Sequence, residues 1–170
     1  MSRIICFHNP DENYGFLSNW YLSDFVIDGR KYTSMEQYMM SEKARLFDDA
    51  AAESQIMATD NVGKIKALGR SVQGYNDLFW SGFRQLIVYR GLMAKFSHNE
   101  ILKANLFDTY NYILAECAVQ DKIWGIGLSI KDERRLDPSQ WQGQNLLGFT
   151  LMDVRKALQI EKNALQGAFF

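Results

Sequence analysis

Ser34-Met-Glu-Gln-Tyr-Met-Met-Ser-Glu-Lys-Ala-Arg-Leu-Phe47 is the stretch whose reading decides how this chain folds and where its chemistry lies. At about 100° per residue, Met35, Tyr38, Met39, Leu46 and Ala50 fall on one side, which Met40 and Phe47 extend. Gln37, Ser41, Arg45 and Asp48 fall on the opposite, wet side. The spacing predicts a helix reaching about Asp49 or beyond. Glu36 and Lys43 share nearly one azimuth, beside Met39, Phe47 and Ala50, inside the apolar stripe. An acid and an amine placed there cost several kcal/mol of desolvation unless they pair or do chemistry. The pair therefore marks a candidate site.

Blander readings compete with this one. Thr33-x-x-Glu36 is a capping box that would employ the carboxylate at the helix start. Ser34-x-x-Gln37 is an equally good box one residue later, and it would release Glu36. Lys43 at the flank of a stripe has the reach to snorkel to water. Glu42 also projects toward the stripe, so Glu42 and Lys43 are alternatively members of one polar cluster.

The 170 residues, 47% of them hydrophobic, suffice for a full core and predict a single domain over 1–170, with its core at about 4–160 and a tail at 161–170. A net charge of −1 argues against strong nonspecific attraction to a polyanion, so a nucleic-acid substrate would need a local basic patch. Aromatic residues make up 14% of the chain and include four tryptophans, enough for a cleft that stacks flat groups, although aromatic cores are the commoner use. Two cysteines, Cys6 and Cys117, cannot form a disulfide framework. His8 and His98 stand far apart without a cysteine partner, which argues against a zinc site, and no cofactor is expected. No leader-like segment and no stretch approaching a membrane span is visible, so the expected setting is the reducing cytoplasm.

Along the chain, Arg3–Phe7 reads as a strand. Phe25–Tyr32 reads as a hairpin, because Asp28-Gly29 tolerates the positive φ of a tight turn. Asp60–Leu68 reads as a helix capped by Thr59 or Asp60. Asp77–Phe96 is a long amphipathic helix in which Phe79, Phe83, Ile87, Arg90 and Met93 recur at helical steps, with Trp80 and Leu86 alongside. Asn99–Tyr110 follows as a helix capped by Ser97 or Asn99, and Tyr112–Cys117 as a strand. Residues 124–147, rich in glycine and polar side chains, read as a functional loop. Gly148–Glu161 reads as the closing helix. There is no internal repeat and no low-complexity run.

Four stretches then read together: Gly15-Phe-Leu-Ser-Asn-Trp20, Thr33-Ser-Met-Glu36 with Lys43, Asp121-Lys-Ile-Trp-Gly-Ile-Gly127, and Trp141-Gln-Gly-Gln-Asn-Leu-Leu-Gly148. In this order, with Gly69-Arg70, Trp80 and Ala94-Lys-Phe96 between them, they resemble the NADAR family. That is the NAD- and ADP-ribose-associated domain that includes the riboflavin biosynthesis intermediates N-glycosidase. The resemblance runs from about Ile4 to Leu158. It implies a mainly α (α+β) fold, an orthogonal helical bundle with a small N-terminal β-hairpin or sheet, in agreement with the helices and hairpin read above. It also implies cleavage of an N-glycosidic bond between a ribose and a base, the substrate being either ADP-ribosylated guanine in nucleic acid or a small ribosylated base. Glu36 and Lys43 match the family's acid and lysine. Asn19, Asp121, Trp124, Gly125 and Asn145 match pocket-lining positions. The loop between Gly127 and Asn145 is longer than in riboflavin-type members and carries Asp137-Pro-Ser-Gln-Trp141, which leaves the substrate class open.

The chemistry can be argued separately. Breaking a ribosyl C–N bond builds positive charge on the sugar and negative charge on the base. A neutral lysine amine can capture the anomeric carbon, and burial lowers a lysine pKa in that direction. Glu36 would move the protons. Seven residues of helix separate the two by about 10 Å, so both would converge on a substrate lying between them. Other candidates carry rival readings: Trp124 as core or stacking platform, Gly127 as pocket floor or turn, Asn145 as helix cap or phosphate holder. Trp20 is a candidate binding residue through its motif. Arg70 is preferred to Arg84 as a phosphate ligand because Gly69 would permit close approach. The expected activity is N-glycosidic hydrolysis through Lys43 and Glu36; a non-catalytic ADP-ribose or NAD-binding module is the alternative. No membrane association is expected, and oligomeric state is open.

Overall fold

The structure, a computed structural model, describes residues 3–167. The chain divides into two compact units, Asn19–His98 and the combination of Met1–Ser18 with Asn99–Phe170. The whole is mainly α, with a small strand set.

In the Asn19–His98 unit, β1′s successor strands come first. With β1 at Ile4–Phe7, strands β2 (Leu22–Ile27) and β3 (Arg30–Ser34) form the expected hairpin, slightly longer than the sequence suggested. Asp28 and Gly29, at φ 51° and 77°, supply the two left-handed positions that match the twist of the strands. Ser34 ends β3 and caps α1 (Met35–Leu46), its side chain accepting the Gln37 N–H at 3.1 Å. Of the two candidate caps Ser34 is the one used, while the Gln37 side chain reaches back to Thr33. The Gln37 side-chain oxygen accepts from the Thr33 N–H at 2.8 Å, and its amide nitrogen donates to the Ile56 and Thr59 carbonyls at 3.2 and 2.8 Å.

Gln37 and Ser41, expected on the wet side, are therefore buried, at 3% and 0% exposure. The reason is that α1 is packed by α2 (Ala50–Met57), α3 (Val62–Arg70) and α4 (Asp77–Ser97), so its first two turns are enclosed on every side. Polar residues there are kept by spending their hydrogen bonds on backbone groups. Ala50, expected in the stripe, is exposed, because α1 stops at Leu46. Asp48 takes φ 57° and Asp49 caps a separate helix, α2, by accepting from the Ala52 N–H at 3.0 Å. Asn61, rather than Thr59 or Asp60, caps α3. A Cβ at Gly69 would overlap the Met40 sulfur, so glycine lets α3 lie directly against α1.

The long helix α4 is present, but its buried face is rotated from the expected one. Trp80, Val88, Leu92 and Phe96 are buried, whereas Phe79, Phe83 and Leu86 are 47%, 40% and 67% exposed. The helix is apolar on more than one side, so spacing alone does not select the face.

In the other unit, β1 pairs in parallel with β4 (Ile113–Glu116), and α5 (Glu100–Phe107) and α6 (Leu146–Gly167) complete the regular structure. Asn99 caps α5. α6 starts two residues earlier and runs six further than the sequence suggested, continuing into the segment read as a tail. Among the described residues, no helix is long and apolar enough to cross a membrane.

Candidate active site

Lys43 lies in the last turns of α1 and is buried, so it does not snorkel to water. Its amine donates to the Gly69 carbonyl at 2.7 Å and lies 4.0 Å from the centre of the Tyr75 ring and 6.0 Å from that of Trp80. That carbonyl belongs to the last turn of α3, where helix carbonyls lack internal partners. Burial pulls the Lys43 pKa below the ordinary lysine value; Asp77 opposes that shift and Arg70 adds to it. A carbonyl and a ring face both favour the ammonium form, yet loss of hydration outweighs them. The result is an amine held in one place and biased toward its nucleophilic, neutral form. Tyr75 is itself fixed, its hydroxyl donating to Asp77 Oδ1 at 2.7 Å.

Glu36 occupies the second position of α1 and is 3% exposed. Its backbone N–H donates to the Asn19 carbonyl at 2.8 Å, which ties the Gly15–Trp20 motif to the start of the helix. The Asn19 side-chain oxygen is buried without a hydrogen-bond partner among the described residues. An acceptor left open in that position costs about 1–3 kcal/mol, the kind of expense found where a ligand group is received. Trp20, next in sequence, has the Lys66 amine 5.5 Å from its ring centre. Glu42, the alternative partner of Lys43, instead binds Arg45 at 2.8 Å.

Arg70 ends α3, is exposed, and lies close enough to Lys43 to lower its pKa. Gly69 serves the packing of α3 on α1, so the close approach it permits is helix to helix.

The remaining candidates belong to the other unit. Asp121 Oδ1 accepts from the Ile123 and Trp124 N–H groups at 3.1 and 2.9 Å and so closes a turn. Trp124 is half-buried beyond it. Gly125 sits where a Cβ would crowd the Glu116 and Asp121 carbonyls, and Gly127 takes φ 71°. The Gly125 carbonyl accepts from the Asn145 N–H at 3.1 Å and that of Ile126 from the Gln142 N–H at 2.8 Å. Asn145, at φ 53° and fully buried, spends its side chain on β4, accepting from the Glu116 N–H at 3.0 Å and donating to the Leu114 carbonyl at 2.8 Å. The segment read as a functional loop is thus a hydrogen-bonded structure with two 3-10 turns, Glu133–Leu136 and Pro138–Gln140.

A family model, the NADAR domain, matches residues 6–159, a span that includes both sets of candidates. The chain belongs to the NADAR family. Among relatives of this NADAR chain, N-glycosidase R617 of Acanthamoeba polyphaga mimivirus is 36% identical over 92% of the chain and 97% of the relative. A riboflavin biosynthesis protein of Vibrio vulnificus is 30% identical over 94% of the chain but only 40% of its own length. The solved NMR structure of the E. coli protein YbiA, 26% identical, superimposes with a TM-score of 0.79 over 95% of the chain and 88% of YbiA. The same bacterial protein carries the name N-glycosidase YbiA. The class of chemistry in this NADAR chain is hydrolysis of an N-glycosyl bond.

Two residues beside Lys43 escape a reading of the NADAR sequence. Tyr75 lies just before α4 and Asp77 is its first residue, and neither carries a periodic signal; the packing of α4 on α1 brings them there. Lys95, noted only as a landmark, is wholly buried, its amine 5.4 Å from the Tyr21 ring centre, and burial lowers its pKa to about 7.

Proposed function

We propose that this NADAR chain removes ADP-ribose from guanine bases, with Lys43 as nucleophile and Glu36 as general acid and base. The observation that carries the reading is the Lys43 amine: buried, immobilised by the Gly69 carbonyl, and shifted toward neutrality. In the proposed sequence the amine attacks the anomeric carbon as the C–N bond to the base breaks. The base nitrogen keeps the bonding pair and takes the Glu36 proton. The substituted amine gives up a proton to Glu36, and its nitrogen lone pair expels the ring oxygen, which takes that proton from Glu36 as the sugar opens to a protonated imine. Water adds to that imine, and loss of the lysine amine frees the sugar.

Asn19 and Trp20 are proposed to line the sugar and base sites and Arg70 to meet the phosphates. Asp121, Trp124, Gly125, Gly127 and Asn145 are proposed as substrate-binding positions of their own unit. A second reading, hydrolysis of phosphoribosylated pyrimidine intermediates, is favoured by the riboflavin-named relative. The test is incubation with ADP-ribosylated guanine in an oligonucleotide and, separately, with the phosphoribosylaminouracil intermediate, following release of the free base. Release from the first alone supports the proposal, and release from the second alone supports the alternative. Release from neither, with tight ADP-ribose binding, indicates a non-catalytic module.

A further inference from the structure

The ring that shields Lys43 is also the first member of an exposed aromatic series. Tyr75, 42% exposed, packs at 5.4 Å on Phe47; Phe47 packs at 6.0 Å on Phe79, and Phe79 at 5.0 Å on Phe83. Phe79 and Phe83 are open to solvent, as are Leu78 and Leu86 on the same helix. A periodic apolar face of this kind normally meets a neighbouring element, and among the described residues these side chains stay open to solvent.

Charge and continuity decide between occupants. Burial raises the Tyr75 pKa and the Arg84 charge opposes that rise, which places Arg84 near the ring; the Arg84 Nε is buried without a hydrogen-bond partner among the described residues. Arg70 is exposed beside Lys43. Phosphate positions therefore flank the series at the end where it reaches the reactive amine. Asp77, an acid at that end, accepts from the Tyr75 hydroxyl.

We propose that Tyr75, Phe47, Phe79 and Phe83 form a stacking platform for unpaired bases of a single-stranded nucleic acid, with Arg70 and Arg84 as its phosphate donors. The proposal rests on the reading of Lys43 as the reacting amine. It adds that the modified base arrives within a strand whose neighbouring bases lie on α4. Stacking on aromatic rings is sequence-tolerant, and the platform would recognise a strand without selecting its sequence.

The test is fluorescence anisotropy of a labelled, unmodified twelve-nucleotide single strand of mixed sequence, as DNA and as RNA. Wild type is compared with Phe79→Ala/Phe83→Ala and with Arg84→Gln. Wild type is expected to bind at low salt, the double variant about ten- to a hundredfold more weakly, and Arg84→Gln to show a shallower salt dependence. Because the two rings are exposed, the urea midpoint of the double variant should match wild type. Turnover of an ADP-ribosylated guanine nucleoside should be unchanged, while turnover of the same base within an oligonucleotide falls. Unmodified-strand binding needs no turnover, so a failure of the glycosidase reading is seen separately. No strand binding by wild type, equal binding by the double variant, or sedimentation showing that Phe79 and Phe83 hold a dimer would each overturn the platform.

Discussion

Gln37 and Glu36 are adjacent, equally buried and polar, and they are expected to fail in opposite ways. The Gln37 amide closes the junction of β3, α1 and the end of α2 through Thr33, Ile56 and Thr59. Gln37→Ala leaves one N–H and two carbonyls unpaired, each costing about 1–3 kcal/mol. The Thr33 and Thr59 groups are partly buried, which places them at the low end, so the loss should be about 3–5 kcal/mol. With a urea dependence of about 2 kcal/mol per molar, the unfolding midpoint should fall by roughly 2 M. Glu36→Gln keeps shape and most hydrogen-bonding capacity. Its midpoint should move by less than about 0.5 M, while kcat falls about 10² to 10⁴-fold. The assays are urea unfolding followed by circular dichroism, and base release at saturating substrate. A stable Gln37→Ala, or a fully active Glu36→Gln, would refute the division of labour.

Three further outcomes follow from the same structure. In the pH profile of kcat/KM, the rising limb should report loss of the Lys43 proton, with a midpoint below the ordinary lysine value of 10.5. Arg70→Ala should move that midpoint up and raise KM, and Asp77→Asn should move it down; a pH profile insensitive to both would contradict the assignment. Asn145→Ala should cost about 2–4 kcal/mol, read by urea unfolding, because two β4 groups lose their partners and alanine is strained at positive φ. Lys95 has a folded pKa of about 7, below its unfolded value, so the unfolded chain binds more protons between about pH 7 and 10.5. Stability should therefore rise through that window by up to about 1.4 kcal/mol per pH unit, and Lys95→Met should flatten the rise.

The hairpin and α1 were legible because turn chemistry and capping are local: Asp28-Gly29 and Ser34 with Gln37 act within a few residues. The α1/α2 break was not, since it depends on Asp48 adopting a left-handed conformation and on Asp49 capping the next helix. The azimuth argument placed Glu36 and Lys43 in a buried stripe, and both are buried. It misplaced Gln37 and Ser41, because a helix wrapped by three others has no wet side in its first turns. At α4 the same method chose Phe79 and Phe83 for the core. Apolar residues on two faces defeat a single-stripe reading: of the residues grouped there Trp80 is buried, while Phe79, Phe83 and Leu86 are left to solvent. The placement of Tyr75 and Asp77 arises only from packing between α1 and α4, and the role of Gly69 from packing between α1 and α3.

Borohydride reduction during turnover is the sharpest test of the proposed imine between the Lys43 amine and the sugar. A covalent sugar adduct is expected, located on Lys43 by peptide mass, and it should be lost together with turnover in Lys43→Arg. Arginine keeps the charge and nearly the reach but stays protonated and is a poor nucleophile. Active turnover with no adduct, or near-normal activity in Lys43→Arg, would contradict the claim and leave direct attack by water.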